Sequence, residues 1–286
     1  MPRPVFGADT DGYAWSRTKP RTRLPQREVP VGVDGLSVRS TRHHGVTVLH
    51  IVGQLNSATY LTIRNAIAAT ATETTGAVVV DARSMRAASD SAWTALSSAA
   101  WLVRDWPDVP VTVVADDAAR HQLDTVGVTR HIAVYDDLAT ALDSVRAENM
   151  PVRVTHRARH VVPRGIAMPI GAARHFVAST LRDWRRPRYV ELARMVTTVL
   201  VSNVIEHTRD DPVVRVELHT PARLVVAVGD HDPHLPAVTE DRHGHVPIAS
   251  GLALLTSLSH HWGCTPTGSG KTVWAVAGDR EVERFR

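Results

Sequence analysis

Asn203 and His207 stand four residues apart in Val199-Leu200-Val201-Ser202-Asn203-Val204-Ile205-Glu206-His207, the end of an apolar run that begins near Tyr189. At helical spacing the two polar side chains lie one turn apart on one face. Leu192, Met195, Val196, Val199, Leu200 and Val204 recur on that face at three- and four-residue steps, so it should turn toward a core. A buried amide left unpaired costs about 1–3 kcal/mol, and Asn203 therefore needs a partner. Two readings supply one. The amide can bond to neighbouring backbone as a core or capping residue. Alternatively its oxygen faces a cleft and ligates a hard cation such as Mg²⁺ on a phosphate.

The elements that must hold this pair belong to a chain of 286 residues, long enough for two domains with separate cores. An apolar fraction of 43% against 22% charged residues is that of a soluble globular protein. No apolar run nears the length of a membrane span, and no signal-peptide core opens the chain. The one cysteine, Cys264, excludes an internal disulfide framework and a cysteine-built zinc cage. These features together point to a reduced, cytoplasmic setting. The net charge is only +4, with arginines gathered in the N-terminal tail and over Arg153 to Arg164. No nucleic-acid reading motif accompanies them, so they are expected to be solvated surface rather than a nucleic-acid interface.

Residues 1–32, rich in proline and arginine without an apolar period, read as a disordered basic tail. From there to residue 150 strands alternate with helices. Val46 to Val52 alternates toward a turn at Gly53, and Ala58 to Ala71 has helical spacing. Ala77 to Asp81 is a continuous apolar strand, and Ala92 to Val103 is helical. Val109 to Ala115 and Ile132 to Tyr135 are further strands, with helices at His121 to Gly127 and Leu138 to Arg146. The alternation predicts an α/β layer with a mostly parallel sheet.

Three stretches of this block resemble a STAS domain, the fold of anti-sigma-factor antagonists. They are Gly53-Gln-Leu-Asn56, Val78-Val-Val-Asp81 and Ser89-Asp90-Ser91-Ala92-Trp93. The resemblance implies a phosphate-accepting hydroxyl in the last stretch, which family members usually write Asp-Ser-Ser/Thr-Gly-Leu. Here Ser89 replaces the acid, Asp90 the first serine and Ala92 the glycine, leaving Ser91 as the phosphoacceptor candidate. A phosphate there would gain from the following helix N-terminus. The competing reading is that Ser89, Asp90 or Ser91 caps that helix, and with the motif altered we favour the cap.

After a linker that leads into a strand at Pro151 to Thr155, residues 151–286 form the second block. A helix starts at Gly171, and the Asn203 helix follows over about 189–208. Val213 to Leu218 and Arg223 to Gly229 are strands, with Asp230 at the end of the second. Residues 231–249 read as a long functional loop or insert. A helix over Gly251 to Leu258 and a strand over Thr272 to Val276 close the chain. Thr267-Gly-Ser-Gly-Lys-Thr272 imitates the end of a phosphate-binding loop, but Thr265 stands where its first glycine is required and a strand pattern follows the lysine. We reject that motif.

The order of these parts resembles the histidine-kinase-like (GHKL) ATPase fold, in the branch of anti-sigma-factor serine kinases. The resemblance implies a C-terminal GHKL-type α/β sandwich that binds ATP and Mg²⁺. It assigns Asn203 to the metal, His207 to the phosphate end and Asp230 to the adenine amino group. Gly251 and Leu252 would form the lid hinge and the phosphate-facing helix start, and Thr272 would reach the adenine side. Taken singly, Asp230, Gly251 and Thr272 also read as a strand-end turn residue, a plain helix start and an ordinary strand residue. Two departures matter. That branch has a glutamate one turn before the asparagine, thought to help deprotonate the attacking hydroxyl, and here it is Val199; loss of a general base typically costs about 10²–10⁴-fold in rate. Asp232 replaces a glycine two residues after Asp230.

The expected function is a regulatory fusion of the partner-switching type. Its partners would be a sigma factor, an anti-sigma factor or a STAS-domain antagonist, with a homodimer allowed. It would bind ATP–Mg²⁺ with weak or no kinase activity. An active serine kinase that phosphorylates a separate antagonist is the alternative.

Overall fold

The computed structural model describes residues 35–74, 76–147, 154–220, 222–232, 234, 251–268 and 270–284. The expected basic tail, the boundary near residue 150 and nearly all of the 231–249 loop lie outside them.

The first sheet has the order β1-β2-β3-β4-β5. Its strands are β1 (Ser37–His43), β2 (Val46–Leu55), β3 (Val78–Ala87), β4 (Val111–Val114) and β5 (Val134–Tyr135). β1 and β2 form an antiparallel hairpin, and the remaining pairs are parallel. The period of two feeds opposite faces. Leu49 and Ile51 of β2, with Val78 and Val80 of β3, enter the larger core, which they share with α1 (Tyr60–Glu73), α2 (Thr94–Leu102) and α3 (Asp117–Thr125). Val46, Val48 and Val79 face the other way, against Ala141 and Val145 of α4 (Leu138–Ala147). Gly53 lies inside β2 rather than in a turn beyond it, at φ 130°. A Cβ there would stand 2.4 Å from the Gly35 carbonyl oxygen, so only glycine lets the two backbones meet.

The second sheet is antiparallel, in the order β6-β7-β8-β10-β9. It comprises β6 (Val154–Val161), β7 (Val213–His219), β8 (Arg223–Asp230), β9 (His261–Pro266) and β10 (Lys271–Ala277). One face is covered by α5 (Pro169–Asp183), α6 (Val190–His207) and α7 (Gly251–Leu258), with Val177, Leu181, Val196, Leu200 and Leu255 in the shared core. A short α8 (Asp279–Glu283) ends the described chain. The molecule is thus an α/β protein of two sheets. The other face of the second sheet packs Val225, Ala227, Trp274 and Val276 around Trp106, which belongs to the loop after α2.

Three expectations need correction. β6 runs to Val161, through residues read as linker, and β9 was not anticipated. Met195 is 37% exposed and His207 is exposed, although both were placed on the buried face of α6. The row 195–199–203–207 drifts by about 40° per step around a helix of 3.6 residues per turn, so its ends leave the buried stripe. Among the described residues no helix is long and apolar enough to cross a membrane.

Candidate functional site

α6 carries Asn203 one turn beyond Val199. The helix tolerates its threonines because their hydroxyls bond back along it, Thr197 to the Ala193 carbonyl and Thr198 to that of Arg194. Asn203 is half-buried, and among the described residues its amide has no hydrogen-bond partner. Val199 is buried and packs against the start of α7: a Cβ on Gly251 would lie 3.3 Å from its Cγ1. Leu252 is buried in the same core. Valine thus supplies packing where the resemblance implies a proton acceptor.

Asp230 and Thr272 lie across the β8–β10 ladder, where Lys271 pairs with Asp230 and Thr272 with Gly229. Asp230 is buried, and its Oδ1 accepts from Lys271 Nζ at 3.0 Å and from the Asp232 amide at 3.0 Å. The ammonium also donates to the Asp232 carbonyl at 3.0 Å, and the Asp232 carboxylate stands 3.6 Å away. Burial raises the Asp230 carboxyl above the ordinary carboxylate range, against the pull of Lys271. The Asp232 carboxyl is held low, chiefly by the His234 backbone amide and then by its ring. Gly270 makes this corner possible, since a Cβ there would fall 2.1 Å from the Asp230 carbonyl oxygen. In the sequence Gly270 and Lys271 belong to the rejected phosphate-loop motif and to the start of the closing Gly-Lys-Thr strand, and neither is expected at Asp230. A strand does follow the lysine, as that rejection required.

The site is therefore in two parts. At Asn203 an unpartnered amide fits an oxygen-ligating cation. Among the described residues there is no cluster of three His, Cys, Asp or Glu that could hold a metal, so such a cation would rely on Asn203, water and phosphate oxygens. At Asp230 the fit to a base is poorer, because the carboxylate is already bonded to Lys271.

In the first sheet's unit, Ser89, Asp90 and Ser91 are exposed at a 3₁₀ turn, Asp90–Trp93, that runs into α2. The expected side-chain cap is not formed. Ser89 Oγ instead lies 3.1 Å from Ser91 Oγ, and Thr94 Oγ1 donates to the Ser91 carbonyl at 2.7 Å. Asn56 holds the loop between β2 and α1, its Oδ1 accepting from the amides of Ala58 and Thr59.

No protein-family model and no curated protein matches the chain. Among solved structures, an anti-sigma factor antagonist from Mycobacterium paratuberculosis is similar over 40% of this chain and 96% of its own, at 23% identity and a TM-score of 0.35. The anti-sigma factor antagonist SpoIIAA in its unphosphorylated form aligns over 39% of this chain and 97% of its own, at 11% identity and a TM-score of 0.32. A histidine kinase domain from the blue-light activated kinase of Erythrobacter litoralis EL346 covers 59% of this chain and 88% of its own, at 13% identity and a TM-score of 0.28.

Proposed function

We propose that this chain is a cytoplasmic regulatory protein of the partner-switching type. Its first unit meets partner proteins at the exposed Ser89–Ser91 turn, and its second holds ATP–Mg²⁺ weakly, without competent phosphoryl transfer. The partners would be a sigma factor, an anti-sigma factor or an antagonist built like the first unit. Asn203 would ligate the metal, His207 would stand at the phosphate end, and Gly251 and Leu252 would form the helix start beside it. Asp230 and Thr272 would face the base, with Lys271 competing for the Asp230 carboxylate.

The observation that carries the reading is the half-buried Asn203 amide, unpartnered among the described residues, beside a valine packed on Gly251. The amide supports cation binding. The valine supports the lack of catalysis, since it can neither take a proton nor orient a hydroxyl.

Calorimetry on the full chain tests both halves. ATP should bind only with Mg²⁺, in the high-micromolar range or weaker, which corresponds to about 5.5 kcal/mol at most. Asn203→Ala should remove that binding. With labelled ATP, no phosphate should appear on Ser91 or on an added antagonist. Turnover that depends on Asn203 would establish the kinase alternative, and no ATP binding at all would leave two protein-docking units.

A further inference from the structure

A cavity lies at the opposite end of α6 from Asn203. Over the 14 residues from Tyr189 to Asn203 the helix climbs about 21 Å, so the two places are separate. Here the turn between α5 and α6 and the ends of β6 and β7 enclose a cavity of about 520 Å³. Arg185, Arg186, Arg188, His156 and His219 line it, with Tyr189 and Thr220.

The charges around it do not cancel. Arg188 is paired with Asp279 at 2.8 Å, and Glu217 is taken by His219 at 2.8 Å and by Arg157 at 2.6 Å. Arg185 and Arg186 have no acidic partner among the described residues, and both are exposed. Among the described residues, then, two guanidinium groups without a counter-charge line this cavity.

The backbone gives an independent reason to look here. α5 ends in a Schellman turn: the Arg186 amide donates to the Leu181 carbonyl at 2.8 Å and the Arg185 amide to that of Arg182 at 2.9 Å. Arg185 is the left-handed residue of that turn, at φ 57°. Glycine takes this conformation without strain, and an arginine does not. A cation gains from the helix dipole anywhere in the last turn, so the dipole does not explain an arginine at the one position that favours glycine. On the other side of the cavity, Pro187 opens the 3₁₀ turn Pro187–Tyr189 that leads into α6, so the positive end of an 18-residue helix also faces this region.

We propose that this cavity binds a small phosphate-bearing organic molecule. Arg185 and Arg186 would grip its phosphoryl group, for which planar guanidinium donors are well shaped. The volume exceeds what bare phosphate needs and falls in the usual range for small-molecule pockets. His156 and Thr220 would line the remainder of the ligand. Nothing in this assignment depends on nucleotide binding at Asn203.

The test uses the full chain in EDTA at low salt, so that a metal-dependent site contributes nothing. AMP, ribose 5-phosphate and inorganic phosphate are titrated by calorimetry, with adenosine and ribose as unphosphorylated controls. At least one organic phosphate should bind ten-fold or more tightly than inorganic phosphate, and neither control should bind. Arg186→Ala should weaken that binding at least ten-fold. Arg185→Gly should do the same while raising the urea midpoint, because glycine relieves the left-handed residue; this separates lost binding from lost folding. The proposal is overturned if no organic phosphate binds at millimolar concentration. It is equally overturned if inorganic phosphate binds as well as the organic probes, or if Arg185→Gly and Arg186→Ala bind as the wild type does.

Discussion

Lys271 illustrates how one side chain can decide what its neighbour is free to do. Its ammonium and the Asp230 carboxylate are both buried, 3.0 Å apart, and the lysine spends its other donors on Asp232. Removing one member of a buried pair leaves an uncompensated charge and typically costs about 3–5 kcal/mol. Lys271→Met should show a loss of that order in urea unfolding at pH 7. The double variant Asp230→Asn/Lys271→Met should recover much of it, because the stranded charge is gone. A single variant as stable as the wild type would mean the pair contributes nothing. The same pair bears on the nucleotide reading, since adenine would have to compete with an internal cation for Asp230. Sequence placed Asn203 on its helix correctly but could not reveal Lys271 as the partner of Asp230. The two are 41 residues apart and meet only through the β8–β10 register.

Among the elements, those that carry a clean period were legible. α6, β7 and β8 lie within a residue or two of their expected ends, as do α2 and β4 of the first sheet. β9 was not legible, and its residues show why. His261-Trp-Gly-Cys-Thr-Pro266 has only a short alternation, Trp262 and Cys264 on the core side, and its glycine and proline argue against a strand. The glycine is there for packing. A Cβ on Gly263 would lie 2.5 Å from Trp274 Cζ2, and the indole that takes this space donates from Nε1 to Thr265 Oγ1 at 2.9 Å. Gly263→Ala should cost about 1–3 kcal/mol, the usual range for overpacking, read as a lowered urea midpoint. If Gly263→Ala proves neutral, the indole is not held by this contact and the account of β9 fails. β6 was misjudged for a related reason. Its burial alternates poorly, because it is an edge strand whose Arg157 reaches the Thr74 carbonyl of the first sheet's unit and whose His156 and His160 meet the rings of Trp184 and Phe176.

At the scale of the whole molecule the two sheets are joined by a buried polar cluster, and this makes their union sensitive to acid. Trp106 is fully buried and donates from Nε1 to Glu217 Oε2 at 3.1 Å. The same carboxylate lies 2.8 Å from His219 Nε2 and 2.6 Å from Arg157 Nε. Arg215 crosses from β7 to the Thr72 carbonyl and pairs with Glu73 at 2.7 Å. Burial alone would raise the Glu217 carboxyl. The His219 hydrogen bond and the Arg157 charge outweigh it and leave the pKa below its ordinary value of 4.5. Glu73 is lowered too, with burial opposed mainly by Arg215. A carboxylate whose folded pKa is depressed contributes stability that is present above the unfolded value and lost as pH falls through the folded one. Unfolding free energy should therefore hold between pH 5 and 7 and drop below about pH 4.5. In Glu217→Gln the drop should be shallower, on top of a lower plateau, because Arg157 loses its counter-charge. Trp106→Ala should cost about 3–5 kcal/mol by the cavity it opens. It should also split a single unfolding transition into two, one for each sheet, when followed by fluorescence and by circular dichroism. A Glu217→Gln profile parallel to the wild type's through pH 4.5 would show that this carboxylate does not couple the two units. A one-step Trp106→Ala transition would show that the cluster is not what joins them.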